Sequence, residues 1–141
     1  MNNCDKNSKK KEICDLLIKQ YYTIYGNKIN NAVCLLESLG VHEFAWDYKN
    51  VFSAIEIMKN KRIPIVGGDV CYMNNGNIEY TYDTWTIDYT NNKSSYEQSI
   101  DFINDYISVT RNDKIYLFVL VFDYKKYLGL HRDNEEILYI H

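Results

Sequence analysis

Proline is nearly missing from this chain and histidine is scarce, with one proline and three histidines in 141 residues. With Pro64 alone, there is no proline-rich linker, and neither a repeat nor a composition shift divides the sequence. The histidines, His42, His131 and His141, are not paired at metal-ligand spacing. The four cysteines, Cys4, Cys14, Cys34 and Cys71, contain no C-x-x-C pair, so a zinc site is not expected. Long apolar runs are missing too. The longest, Ile115 to Phe122 ("IYLFVLVF"), falls far short of the roughly 18 residues that a membrane span needs. The N-terminus leads into an amphipathic pattern and lacks the short apolar core and small-residue cleavage site of a secretory signal, which makes the cytoplasm the expected location. In that reducing setting Cys14, Cys34 and Cys71 read as small core residues, and Cys4 as an exposed thiol in a flexible tail over residues 1–8. Positive charge is not in excess: 16 Lys and Arg against 19 Asp and Glu leave a net charge of −3. That balance argues against binding a nucleic-acid backbone, and suits a basic partner better.

What is present describes one folded domain. Apolar residues make up 46% and charged residues 25% of a chain long enough for one core. The many asparagines, isoleucines, lysines and tyrosines read as the imprint of an AT-rich coding sequence, so the positions of the 14 tyrosines carry more than their number. Helical spacing predicts a first helix over residues 8–25 with Gly26 as its stop, and a second over 30–39 ending at Gly40. Asp47 is placed to cap a third helix whose inner face is Val51, Ala54, Ile55 and Met58. Residues 63–73 and 78–89 read as strands joined at Asn75-Gly76, the favoured pair for a tight hairpin turn. That turn would set Met73 opposite Ile78, Cys71 opposite Tyr80 and Asp69 opposite Tyr82, with a bulge or bend near Asp83-Thr84. Ser94 and Glu97 form a capping box for a fourth helix with Tyr96, Ile100, Ile103 and Ile107 on one face.

Residues 114–123 read as a strand buried on both faces, the centre of the sheet, and a last strand is expected at 137–140. The fold class is therefore α+β: a single domain with an antiparallel sheet built on the hairpin and the late strand, packed with about four helices. Leu16, Leu17, Leu35, Leu36, Val51, Ile55, Ile100, Ile103, Leu117, Val119 and Val121 are the expected core.

Three constellations have chemical readings. Gly67-Gly68-Asp69 is similar to the GGD of bacterial diguanylate cyclases, but that family continues with glutamate and phenylalanine where Val70 and Cys71 stand here. A second metal carboxylate has no obvious source, and a structural role fits better, the glycines relieving a bulge or a close backbone crossing. Cys71, His42 and Asp69 contain the residue types of a thiol nucleophile, base and orienter, yet alternation puts Cys71 on an apolar face and His42 in a loop. The stretch "IEYTYDTWTIDY" alternates carboxylates with tyrosines, and these are the residue types of protein interfaces as well as of an ordinary half-solvated strand.

Phe44-Ala45-Trp46 before a helix, Ile63-Pro64-Ile65 running into Gly67-Gly68-Asp69-Val70, then Tyr80, Asp83, Trp85 and a late apolar strand together resemble the immunity protein 40 family of bacterial polymorphic toxin systems. The resemblance spans about residues 35–121, and the family's tyrosine after Gly-Gly-Asp-Val is Cys71 here. It implies a cytoplasmic protein, not an enzyme and without a cofactor, that protects the producing cell by binding a cognate toxin directly. With the acidic, aromatic hairpin it makes Asp69, Tyr72, Glu79, Tyr80, Asp83 and Trp85 the expected partner contacts. A metal-dependent enzyme using Asp69, or a small-molecule sensor, are the alternatives.

Overall fold

The computed structural model describes residues 12, 15–16, 18–41 and 43–123. Helix α1, residues 18–25, buries Tyr21, Ile24 and Tyr25 at helical spacing and stops at Gly26, whose φ of +56° suits glycine. Leu16, expected in the core, is 38% exposed, and Leu17 lies outside the described residues.

The expected second helix is replaced by three shorter pieces: a 3-10 turn at Gly26–Asn31, strand β1 at Ala32–Cys34, and a single helical turn, α2, at Leu36–Leu39. Ala32, Val33 and Cys34 pair with Trp46, Ala45 and Phe44 of strand β2, Phe44–Asp47, a segment for which the sequence pattern predicts no strand. Strand pairing outweighs the helical periodicity, which Leu35, Leu36 and Leu39 sustain for one turn only.

Helix α3, Tyr48–Asn60, begins as expected: the Asn50 N–H donates to Asp47 Oδ1 at 3.0 Å, and Val51, Ala54, Ile55 and Met58 are buried. Strand β3, Ile65–Asn74, turns at Asn75-Gly76, both at positive φ, into strand β4, Asn77–Thr86. Helix α4, Ser95–Thr110, starts where the Glu97 N–H donates to Ser94 Oγ at 3.1 Å. Strand β5, Ile115–Phe122, ends the described chain but for Asp123, so the strand expected at 137–140 lies outside it.

The five strands form one antiparallel sheet in the order β1-β2-β5-β3-β4. β5 is central as expected, and among the described strands β1 and β4 are the edges. One face carries Trp46, Val70, Trp85, Phe118 and Leu120 and packs under α1, α3 and α4. The other carries Ala45, Cys71, Ile78, Leu117 and Val119 and is covered by Leu35, Leu39 and Val41. Residues 35–41 form a short excursion across that second face, and the Leu35 N–H donates to the Glu43 carbonyl at 3.0 Å. Of the remaining expected core, Leu35, Ile55, Ile103, Leu117 and Val119 are buried, whereas Leu36, Ile100 and Val121 are only half-buried at its rim. No described helix is long and apolar enough to cross a membrane.

Candidate functional site

The hairpin has two faces with different jobs. On the helix-covered face, Gly68 pairs with Trp85 across the β3–β4 ladder, and a Cβ at Gly68 would lie 2.0 Å from Cη2 of the indole. A Cβ at Gly67 would lie 2.5 Å from the Trp85 carbonyl oxygen. The glycine pair is therefore the close crossing that admits Trp85 to the core. The indole is 6% exposed, stacks on Phe102 at 4.8 Å between centroids, and donates Nε1–H to Ser99 Oγ at 3.0 Å. Trp85, one of the expected partner contacts, is a buried packing residue.

Asp69 points to the second face, beside Cys71 and Tyr80 of the hairpin and Glu43 just before β2. Burial holds the Glu43 carboxyl above its ordinary value, and the nearby charge of Asp69 adds to the effect. Burial raises Asp69 as well. The Cys71 thiol is pushed up to about 11 by burial and by the charges of Asp69 and Glu43, the opposite of an activated nucleophile. Tyr80 feels the same neighbours: burial, then Cys71, Glu43, Asp69 and Tyr82, raise its phenol. His42 lies outside the described residues. Among the described residues no three His, Cys, Asp or Glu side chains are grouped to hold a metal ion.

Between these faces β4 is broken. Asp69 pairs with Thr84 instead of Tyr82, while Cys71 still pairs with Tyr80, so Thr81, Tyr82 and Asp83 all stand opposite Val70. Thr81 Oγ1 pins the bulge, donating to the Val70 carbonyl at 2.9 Å and accepting from the Asp83 N–H at 3.0 Å. Tyr82 sits at φ +66° and is 88% exposed, its ring 6.2 Å from that of Tyr80. A bulky residue in that left-handed region is strained. The two extra residues preserve the alternation. The change of apolar parity that signalled a bend in the sequence arises because the excursion covers Ile78 and Tyr80 on one face, and α4 covers Trp85 on the other.

The six expected contacts thus do not share one face. Asp69 and Tyr80 lie on the second face. Tyr72, Glu79 and Asp83 lie on the helix side of the hairpin, where Tyr72 Oη donates to Glu79 Oε2 at 2.7 Å and Tyr106 Oη to Asp83 Oδ2 at 2.8 Å. The hydrogen bonds from Tyr72 and Asn74, with help from Lys114, hold the exposed Glu79 carboxyl below its ordinary value. Lys114 Nζ stands 4.5 Å from the centre of the Tyr72 ring. Sequence reasoning did not single out Glu43, whose place beside Asp69 depends on an excursion without a local signature. Tyr82 was placed on the correct face, but its strain follows from a register shift that alternation alone does not reveal. Elsewhere an open surface cleft of about 400 Å³ is lined by Asp47, Lys49, Asp113, Lys114 and their neighbours, a charged lining unlike a closed apolar pocket.

A family model described as Immunity protein 40 matches residues 35–122, from the excursion to the end of β5. No curated protein and no solved structure gives a significant match.

Proposed function

The chain belongs to the Immunity protein 40 family, and from that membership we propose that it neutralises a cognate protein toxin in the cytoplasm by direct, stoichiometric binding. The family match, which covers the whole sheet except β1, is the observation that carries the reading. The chain's own chemistry supports it. The chain is acidic overall, with a net charge of −3, and the exposed edge of the hairpin carries tyrosines and carboxylates. Such a surface attracts a basic protein and holds it through desolvated aromatic rings. The one thiol of the second face that sits beside carboxylates is held protonated, which suits a binding surface better than a nucleophile.

The test is co-expression. Cells carrying the toxin domain encoded by the neighbouring gene should survive only when this chain is present, and the two proteins should elute together as a complex of fixed ratio. Protection without any complex would refute neutralisation by binding and would bring back an enzymatic route.

A further inference from the structure

The described surface has one place where an aromatic residue is held outward against its own backbone preference. Tyr82 is 88% exposed at φ +66°, on an edge strand, in a bulge fixed by Thr81 and beside the ring of Tyr80. Glycine or asparagine would meet the backbone need without strain, so the local geometry does not explain a tyrosine there. An exposed, rigidly based aromatic side chain is the kind of group that anchors a protein interface. The bulge also interrupts the ladder edge, so addition of a partner's strand along the whole of β4 is disfavoured and side-chain docking is favoured.

Charge decides what docks. Glu43 and Asp69 are half-buried on the same face, and among the described residues neither has a cationic partner. Each is partly removed from water, and the two are close enough to feel each other. A cation brought by a partner would relieve both effects, whereas an acidic or wholly apolar partner would bury the charges uncompensated.

Taking direct toxin binding as given, we infer that the second-face surface formed by Tyr82, Tyr80, Asp69 and Glu43 is the docking site, and that its occupant is a basic protein surface presenting an arginine or lysine to the two carboxylates. Tyr82 and Tyr80 pack against the stem of that side chain while Asp69 and Glu43 meet its charged head.

The probe is the purified toxin domain encoded by the neighbouring gene, with binding followed by surface-immobilised kinetics and folding by thermal melts. Tyr82→Asn, which suits the left-handed backbone, should melt no lower than the original chain and bind at least about tenfold more weakly, through faster dissociation. Glu43→Gln with Asp69→Asn should stay folded and bind at least about tenfold more weakly, chiefly through faster dissociation. A folded double variant that binds within about threefold of the original overturns the basic occupant, and a folded Tyr82→Asn that does so overturns the aromatic anchor. If the unmodified chain itself fails to bind the toxin domain, direct neutralisation falls, and this docking site with it.

Discussion

Trp85 occupies the space that any side chain at Gly68 would need. A Cβ there would lie within 2.5 Å of three indole carbons, Cη2, Cζ2 and Cζ3. The relationship explains why the hairpin begins with a glycine pair: the glycines make room for the tryptophan. Gly68→Ala should therefore destabilise the fold by about 3 kcal/mol, the upper end for overpacking. Trp85→Ala alone should cost about 3–5 kcal/mol through the cavity it leaves. In the Trp85→Ala background, Gly68→Ala should add less than about 1 kcal/mol, because the collision is gone. Denaturant midpoints of the four proteins decide it, and additive costs would refute the close approach as the reason for glycine.

Cys71 gives a second prediction. Its thiol is buried and pushed up to about 11, first by burial and then by Asp69 and Glu43. Iodoacetamide at about pH 8 should leave Cys71 unmodified in the folded protein for as long as the fold persists, and should label it promptly in denaturant. Peptide mapping by mass spectrometry reads the site directly. Rapid labelling of Cys71 in the native protein would contradict the packing of the second face.

The parts of the fold that sequence could reveal were those with local causes. Asp47 and Ser94 cap their helices with their own side chains, Asn75-Gly76 sets its turn, and the unbroken apolar run of β5 announces a strand covered on both sides. The parts that it could not reveal depend on distant partners. Ala32 to Cys34 form a strand because Phe44 to Trp46 lie beside them, and Leu35 and Leu39 turn to a sheet face that exists only once β5 and β3 have paired. The site was half legible for the same reason. Asp69 and Tyr80 follow from hairpin alternation, while Glu43 arrives from another part of the chain.

The carboxylate pair makes stability depend on pH in a definite direction. Glu43 is raised by burial and then by Asp69, Asp69 is raised by burial, and among the described residues the other titratable groups facing them are Cys71, Tyr80 and, through Tyr80, Tyr82. A raised carboxyl holds its proton more tightly in the folded chain than in the unfolded one. Its stabilising share is thus complete below the ordinary carboxylate value and is lost as pH rises through the raised value. Glu43→Gln, which never ionises, should be more resistant to urea than the original chain at neutral pH, with the difference closing once the solution is acidified below the ordinary carboxylate range. A Glu43→Gln variant less stable than the original at neutral pH would show that ionised Glu43 contributes to the fold.

Long-range attraction and close contact should separate in the kinetics of toxin binding. Glu79 and Asp83 are exposed on the helix side of the hairpin, each already held by a tyrosine hydroxyl, at 2.7 Å from Tyr72 and 2.8 Å from Tyr106. They are not in the proposed second-face contact, but their charge reaches solvent along the same edge strand. Steering by such charges raises the encounter rate, falls with salt, and does little to residence once the partner is seated. Glu79→Gln with Asp83→Asn keeps the shape and the acceptor oxygens, so the association rate should fall by a few-fold, roughly, and its dependence on ionic strength should flatten, while the dissociation rate stays within about twofold. Tyr82→Asn should do the reverse. If the Glu79 and Asp83 pair instead changes chiefly the dissociation rate, these carboxylates touch the toxin, and the contact surface must wrap around the β4 edge onto the helix side.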